Sequence, residues 1–258
     1  MRTATSADGT PIAYDQTGDG PAVVIVSGAM STAADAAGIA AALAEAGFRA
    51  VTWDRRARGS SGDARGSTPE REIEDLAAVI DAVGGEAAVL GHSSGAVLGL
   101  VAASRGVPIR ALFLSEPPFR FGVDEPADDL ADRLQRSVDE GRPEDAIVTF
   151  QLESVGLPRE MVDQIRTSDM FPGLVALAQS TVYDTNLVRE VSTPRPELLD
   201  VSVPVTILRG AQTFPMLMNA ADRLAEEMDR AELVIVPESV MHRPDPAATA
   251  RVIAERLA

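Results

Sequence analysis

The chain has 258 residues and a formal net charge of −16, from 23 basic against 39 acidic side chains. That length suits one large domain, or a core carrying a smaller insertion, and the negative charge disfavours nucleic acid and anionic membranes as partners. Cysteine and lysine are both absent, so all basic residues are arginines, which removes thiolate nucleophiles, disulfides, cysteine-ligated metals, phosphate-binding lysines and Schiff-base chemistry together.

Hydrophobic residues make up 45% of the chain, enough for a packed interior. The N-terminus, MRTATSADGTPIAYDQ, lacks a basic segment followed by an apolar one, and no run of about eighteen apolar residues occurs. Neither secretion nor membrane spanning is expected, and the cytoplasm is the default location. Only His92 and His242 are present, so no histidine-rich metal centre is expected. General-base chemistry at neutral pH must fall largely on one of them.

In chain order, two short strands are predicted at Thr3 to Thr5 and Ile12 to Tyr14, then a buried strand in Ala22 to Gly28 (AVVIVSG). An alanine-rich helix follows over Ser31 to Ala46, ending at Gly47. Phe48 to Trp53 is the next strand, leading into the polar loop DRRARGSSGD. A helix over Pro69 to Val83 is opened by Thr68 as cap and stopped by Gly84 and Gly85. Ala87 to Gly91 reads as strand, Ser94 to Ser104 as helix and Ile109 to Leu114 as strand.

There the alternation breaks. From Phe119 to Arg195 the pattern predicts only helices, at Ala127 to Glu140, Pro143 to Val155, Pro158 to Ser168 and Gly173 to Glu190. Strands resume at Val205 to Leu208 and Leu233 to Val236, with helices at Pro215 to Asp229 and Pro246 to Leu257. The expected architecture is α/β: a mostly parallel sheet with helices on both faces. Residues 1–118 and 196–258 would form the core, and 119–195 a helical lid over one edge of the sheet.

The most specific chemical signal is LGHSSGA, Leu90 to Ala96, in which Gly91, Ser93 and Gly95 satisfy G-x-S-x-G between a strand and a helix. The glycines permit a sharp turn that presents Ser93 Oγ at the C-terminal edge of the sheet, above a helix N-terminus. A serine alcohol needs a base. A second oddity lies in FLSEPPF, residues 113–119, where Glu116 stands just beyond a buried strand and is followed by two prolines. A carboxylate in that position is costly unless it is partnered.

With these motifs in place, the chain resembles the α/β-hydrolase family over essentially its whole length. Asp54, Arg56, Gly59 and Ser61 fit its D-x-R-G-x-G-x-S loop signature, with Ala57 replacing the first loop glycine. The arginines of this loop are expected to be structural, holding loops through carboxylates. The resemblance implies Ser93 as nucleophile and His242, in PESVMHRPDP between the last strand and the C-terminal helix, as general base. His92 is expected to point away from Ser93 and pack.

Most members of the family take the orienting acid from the loop that here reads RGAQTFPM, Arg209 to Met216; it holds no carboxylate, and the nearest, Asp222, lies inside the following helix. Some members take it from the end of the strand after the nucleophile helix, where Glu116 stands. This implies a Ser93, His242, Glu116 triad. Glutamate at that position, with the H-S-S-G-A nucleophile segment and a helical lid, is similar to the zearalenone-type lactone hydrolases, in which H-E-L-P occupies the place of Ser115 to Pro118. Haloalkane dehalogenases share the glutamate position in part but use an aspartate nucleophile, so Ser93 excludes dehalogenase and epoxide-hydrolase chemistry.

The backbone N–H groups of Ser94 and Ala29 are the expected oxyanion donors; Ser27 and Gly28 stand where the family usually has His-Gly. For the substrate pocket the expectation is an apolar lining of Met161, Met170, Phe171, Leu174, Tyr183 and Leu187. The expected activity is hydrolysis of a small-molecule carboxylic ester or lactone, with no cofactor or metal, no nucleic-acid or membrane partner, and a homodimer left open. Two alternatives remain at this stage: a non-hydrolytic ligand-binding or tailoring protein on the same scaffold, and carbon–carbon or thioester hydrolysis.

Overall fold

The computed structural model describes residues 1–258. At its centre is an eight-stranded sheet in the order β1-β2-β4-β3-β5-β6-β7-β8. The strands are β1 (Arg2–Thr5), β2 (Pro11–Thr17), β3 (Ala22–Val26), β4 (Arg49–Trp53), β5 (Ala87–His92), β6 (Ile109–Ser115), β7 (Val205–Gln212) and β8 (Ala231–Val240). β3 to β8 are mutually parallel, whereas β2 pairs antiparallel with both β1 and β4.

Period-two alternation explains why the central strands read as unbroken apolar runs. Val24, Val26, Val51, Trp53, Val89, Leu112 and Leu114 face one buried cluster, while Val23, Ile25, Ala50, Ala88, Leu90, Ala111 and Phe113 face the other. Both faces are covered, as parallel sheets require. Helices α2 (Pro69–Ala82), α3 (Ser94–Ser104) and α10 (Pro215–Glu227) fill the first layer; α1 (Ala37–Glu45) and α11 (Pro246–Leu257) fill the second. Each large aliphatic side chain buried this way contributes about 1.5–3 kcal/mol.

Between β6 and β7 the chain forms α4 (Leu130–Asp139), α5 (Pro143–Thr149), α6 (Arg159–Arg166), α7 (Phe171–Val175), α8 (Ala178–Glu190) and α9 (Pro196–Leu199). Leu130, Leu134, Ile147, Phe150, Phe171 and Tyr183 give this region a cluster of its own. No helix is long and apolar enough to cross a membrane.

Several boundaries differ from the sequence reading, for physical reasons. The segment expected as one helix at Pro143 to Val155 passes from α5 into a π-helical turn, Phe150–Val155, ended by Gly156 at φ 77°. Gly173 to Glu190 is split between α7 and α8, and the first helix begins with a 3-10 turn at Ala33–Ala36. β7 and β8 run well beyond their apolar cores because each supplies the other's backbone partners, to a pairing of Gln212 with Val240. Propensity does not extend a strand into polar residues; a neighbour can.

Candidate active site

β5 stops at His92, and the chain reverses through Ser93 at φ 54° and ψ −124° into α3. Backbone sterics disfavour this conformation for any residue with a Cβ, and it persists only where the surroundings over-determine it. The flanking glycines provide that. A Cβ on Gly91 would lie 2.4 Å from the Gly95 carbonyl oxygen, and one on Gly95 only 2.1 Å from that of Val26. Ser93 N–H still donates to Ser115 O at 2.9 Å, which ties the elbow to β6.

One residue beyond that acceptor, Glu116 turns at φ 48°, with its N–H on Leu208 O at 2.9 Å. Its carboxylate lies at the β6–β7 edge, 4% exposed. Gly210 N–H donates to Oε1 at 2.9 Å, Thr213 Oγ1 donates to Oε2 at 2.9 Å, and His242 Nδ1 lies 2.5 Å from Oε2. The segment that lacks an acid thus supplies donors to one. Burial pushes the Glu116 carboxyl up, but the bonds from His242, Gly210 and Thr213 outweigh it and hold the group below the ordinary carboxylate value.

His242 sits in the turn just after β8, at φ 62°, and Met241 N–H fixes that turn by donating to Gln212 O at 2.8 Å. The extension of β7 and β8 therefore places the imidazole. No hydrogen bond joins Ser93 Oγ to His242, but both residues line one cavity of 530 Å³; such contacts commonly tighten only when substrate is bound. Met30, Ser93, Glu116, Met241 and His242 all have positive φ, so backbone strain concentrates at this end of the sheet.

His92 packs, as expected, and does not line the cavity that Ser93 and His242 share. Its ring packs on His242 with centroids 4.4 Å apart, and its Nδ1 lies 3.3 Å from Ser115 Oγ. Burial, with the neighbouring His242, pushes its pKa down to about 3, so it stays neutral. Ser94, first residue of α3, has no intrahelical acceptor for its N–H. Ala29 N–H likewise lacks a backbone acceptor, and both residues line the cavity beside Ser93. Asp222 is instead occupied by Arg209, 2.7 Å away.

The expected pocket lining is corrected. None of Met161, Met170, Phe171, Leu174, Tyr183 and Leu187 lines the cavity. Phe171 and Tyr183 are buried in the cluster between β6 and β7, Leu174 packs against it, Leu187 belongs to the sheet core, and Met170 is 60% exposed. Tyr183 also gives its hydroxyl to Asp63. Apolar spacing marks a buried helix face without saying which neighbour buries it. The cavity is lined instead by Phe150, Leu157, Val188, Phe214, Met216 and Leu217, among others.

Asp184 of α8 also reaches the cavity and was not singled out in the sequence. It is 1% exposed and paired with Arg55 and Arg58, each at 1%. The usable signal was a carboxylate inside the otherwise weakly polar stretch ALAQSTVYDTNLV, with a run of arginines elsewhere to meet it.

The comparisons with known proteins agree with this fold. A family model described as the alpha/beta hydrolase family matches residues 23–252. An alpha/beta hydrolase from Sphaerobacter thermophilus is similar at 40% identity and a TM-score of 0.92, with 100% of both chains covered. An enol-lactonase from Burkholderia xenovorans (19% identity, TM-score 0.71, 99% of this chain and 98% of that one) and an esterase from Rhodococcus sp. (22%, 0.67, 100% and 99%) share the fold. No curated protein matches the chain. With the family match spanning most of its length and a 40% identical relative aligned end to end, the chain belongs to the alpha/beta hydrolase family.

Proposed function

We propose that the protein is a serine hydrolase that cleaves a carboxylic ester or lactone of a small organic molecule, works in the cytoplasm and needs neither cofactor nor metal. Ser93 Oγ attacks the carbonyl carbon while His242 Nε2 takes its proton. Glu116 accepts the hydrogen bond from Nδ1–H and stabilises the imidazolium as it forms. The N–H groups of Ala29 and Ser94 receive the charge that develops on the carbonyl oxygen. The leaving alkoxide departs with the proton from His242, and water, deprotonated by the same imidazole, hydrolyses the acyl-enzyme. The helices of residues 119–195 act as the lid of the site.

The observation that carries this reading is the 2.5 Å contact from Glu116 to the imidazole of a cavity shared with a strained serine. A lactone is included because the glutamate position and the H-S-S-G-A segment resemble those of the zearalenone-type lactone hydrolases.

The test is a pre-steady-state assay with p-nitrophenyl butyrate. A burst of nitrophenolate matching the enzyme concentration, abolished in Ser93→Ala, is expected, together with single labelling of Ser93 by a fluorophosphonate. Labelling that persists undiminished in Ser93→Ala would refute the nucleophile. A matched panel of lactones and linear esters then separates the two substrate classes.

A further inference from the structure

A second buried network lies against the elbow, and the acyl-transfer steps do not consume it. Arg55 and Arg58 come from the loop after β4, Glu72 from α2, Asp184 from α8 and Ser94 from the start of α3. Arg55 lies 2.8 Å from both Glu72 and Asp184, and Arg58 donates to Asp184 Oδ2 at 2.7 Å. Two guanidinium groups meet two carboxylates, all at most 1% exposed in their side chains, so the formal charges cancel. Burial alone would push Asp184 up, but Arg58 and Arg55 hold its carboxyl below the ordinary value.

Ion pairing does not account for the remaining bonds. Arg58 Nη1 donates to Gly28 O at 2.5 Å and to Ser31 O at 3.2 Å, and Arg55 Nη1 reaches Ser27 O at 3.3 Å. Across a trans peptide the carbonyl and the N–H point in opposite directions, and the chain has no cis bond. The peptide whose oxygen is Gly28 O ends in Ala29 N–H. Holding that oxygen against Arg58 therefore fixes the direction of the N–H at its other end. A cation on the oxygen also polarises the amide, which strengthens its N–H as a donor. On the opposite side, Ser94 Oγ donates to Asp184 Oδ1 at 2.7 Å and accepts from Arg55 at 3.1 Å, which anchors the residue carrying the other donor.

We infer that Arg58, Arg55 and Asp184 are positioning residues for the oxyanion hole, and that α8 sets the direction of the Ala29 and Ser94 N–H groups by delivering Asp184 between them. This rests on the serine-hydrolase reading. The network touches neither nucleophile nor base, and it acts through two peptide units. A tie that merely fastened α8 to the sheet would affect stability and substrate access, without distinguishing the ground state from the tetrahedral state.

The distinction sets the experiment. Arg58→Lys keeps the charge opposite Asp184 but loses the planar fork that bonds carboxylate and carbonyl together. Ser94→Ala keeps the N–H and all four charges and loses only the hydroxyl anchor. For both variants kcat and KM are measured on p-nitrophenyl butyrate, folding is checked by circular dichroism and Tm, and affinity is measured for an alkyl trifluoromethyl ketone. The ketone adds to Ser93 Oγ: the new C–O bond forms as the carbonyl π pair becomes an alkoxide, and the serine proton moves to His242.

In Arg58→Lys, kcat is expected to fall about 30-fold, below the 10²–10³ lost when an oxyanion donor is removed altogether, with KM within about two-fold and ketone affinity falling in the same proportion as kcat/KM. Ser94→Ala is expected to give the same signature at about 5-fold, a smaller displacement of the same donors. A folded variant of either kind with kcat and ketone affinity unchanged, or with the loss confined to KM, overturns the inference. If Arg58→Lys does not fold, Ser94→Ala decides by the same criteria. A wild-type protein with no Ser93-dependent turnover and no ketone binding overturns the hydrolase reading and this inference with it, whereas wild-type turnover with unresponsive variants overturns the inference alone.

Discussion

Two buried carboxylates flank Ser93 and do opposite electrostatic work. Glu116, at the β6–β7 edge, is bonded to an imidazole, a backbone N–H and a hydroxyl, so its only ionisable partner can gain and lose a proton. Asp184, on α8, is bonded to two guanidinium groups and a serine hydroxyl, and its ionised partners keep their charge at any working pH. Both are ionised in the folded protein, held below the ordinary carboxylate value by these partners. Burial and charge therefore do not separate a proton-handling acid from a positioning one. The identity of the partner does.

Breaking each side of the comparison should give different losses. Glu116→Gln keeps the shape but removes the charge facing the imidazole, and kcat should fall by roughly 10⁴-fold, the scale for a triad acid replaced by its amide. Asp222→Asn, whose carboxylate serves Arg209, is the control and should leave kcat within about two-fold in the same steady-state assay; the reverse ranking would remove Glu116 from its role. Asp184→Asn should lower stability as well as kcat, because it leaves one carboxylate facing two buried guanidinium groups and frees the Ser94 and Arg58 anchors. Urea denaturation should register a loss of about 3–5 kcal/mol.

A fourth substitution sharpens the comparison from the side of the base. His92 contacts His242 and Ser115, with Glu116 close by, and is neutral in the fold because its pKa lies at about 3 rather than the ordinary 6.5. Between those values the unfolded chain binds a proton that the folded chain refuses. Its contribution to stability is therefore complete above 6.5 and lost as the pH falls toward about 3. His92→Gln should flatten the decline of the urea midpoint across that window. An unchanged slope would mean that His92 accepts its proton in the folded state.

The smallest effect belongs to the loop that carries the arginines. Ala57 stands at φ 59°, the conformation for which the family signature supplies glycine. Ala57→Gly relieves a left-handed alanine worth roughly 1–2 kcal/mol and gives back part of that in unfolded-state entropy, roughly 0.4–1 kcal/mol. A rise in Tm of a few degrees, or none, is expected; a fall of several degrees would show that the packing of the methyl group against the cluster between β6 and β7 outweighs the backbone strain.

Much of the fold was legible in the sequence because its causes are local. Alternation of apolar runs with helical periodicity identified all eight strands, and Gly91 and Gly95 marked the elbow because only glycine fits the contacts made there. The vacancy in RGAQTFPM and the stray carboxylate of Glu116 were visible for the same reason, as residue types that local rules leave unexplained. The far ends of β7 and β8 were not legible. Those residues are strand only because the neighbouring chain offers backbone partners, and it is this extension that carries His242 to Glu116.

The lining of the cavity was equally hidden. The spacing of Phe171, Leu174, Tyr183 and Leu187 marks them as apolar, yet the first three pack with neighbouring helices and the last against the sheet core.

The sequence by itself determined the α/β layering, the strained serine and the shortage of bases and acids from which any chemistry must be drawn. These depend on backbone sterics and on which residue types are present. The tertiary structure alone decided which charges meet. Arg55 and Arg58 lie more than a hundred positions from Asp184, and Glu116 lies 126 from His242; a buried ion pair or hydrogen bond depends on distances of a few ångströms that no local pattern encodes.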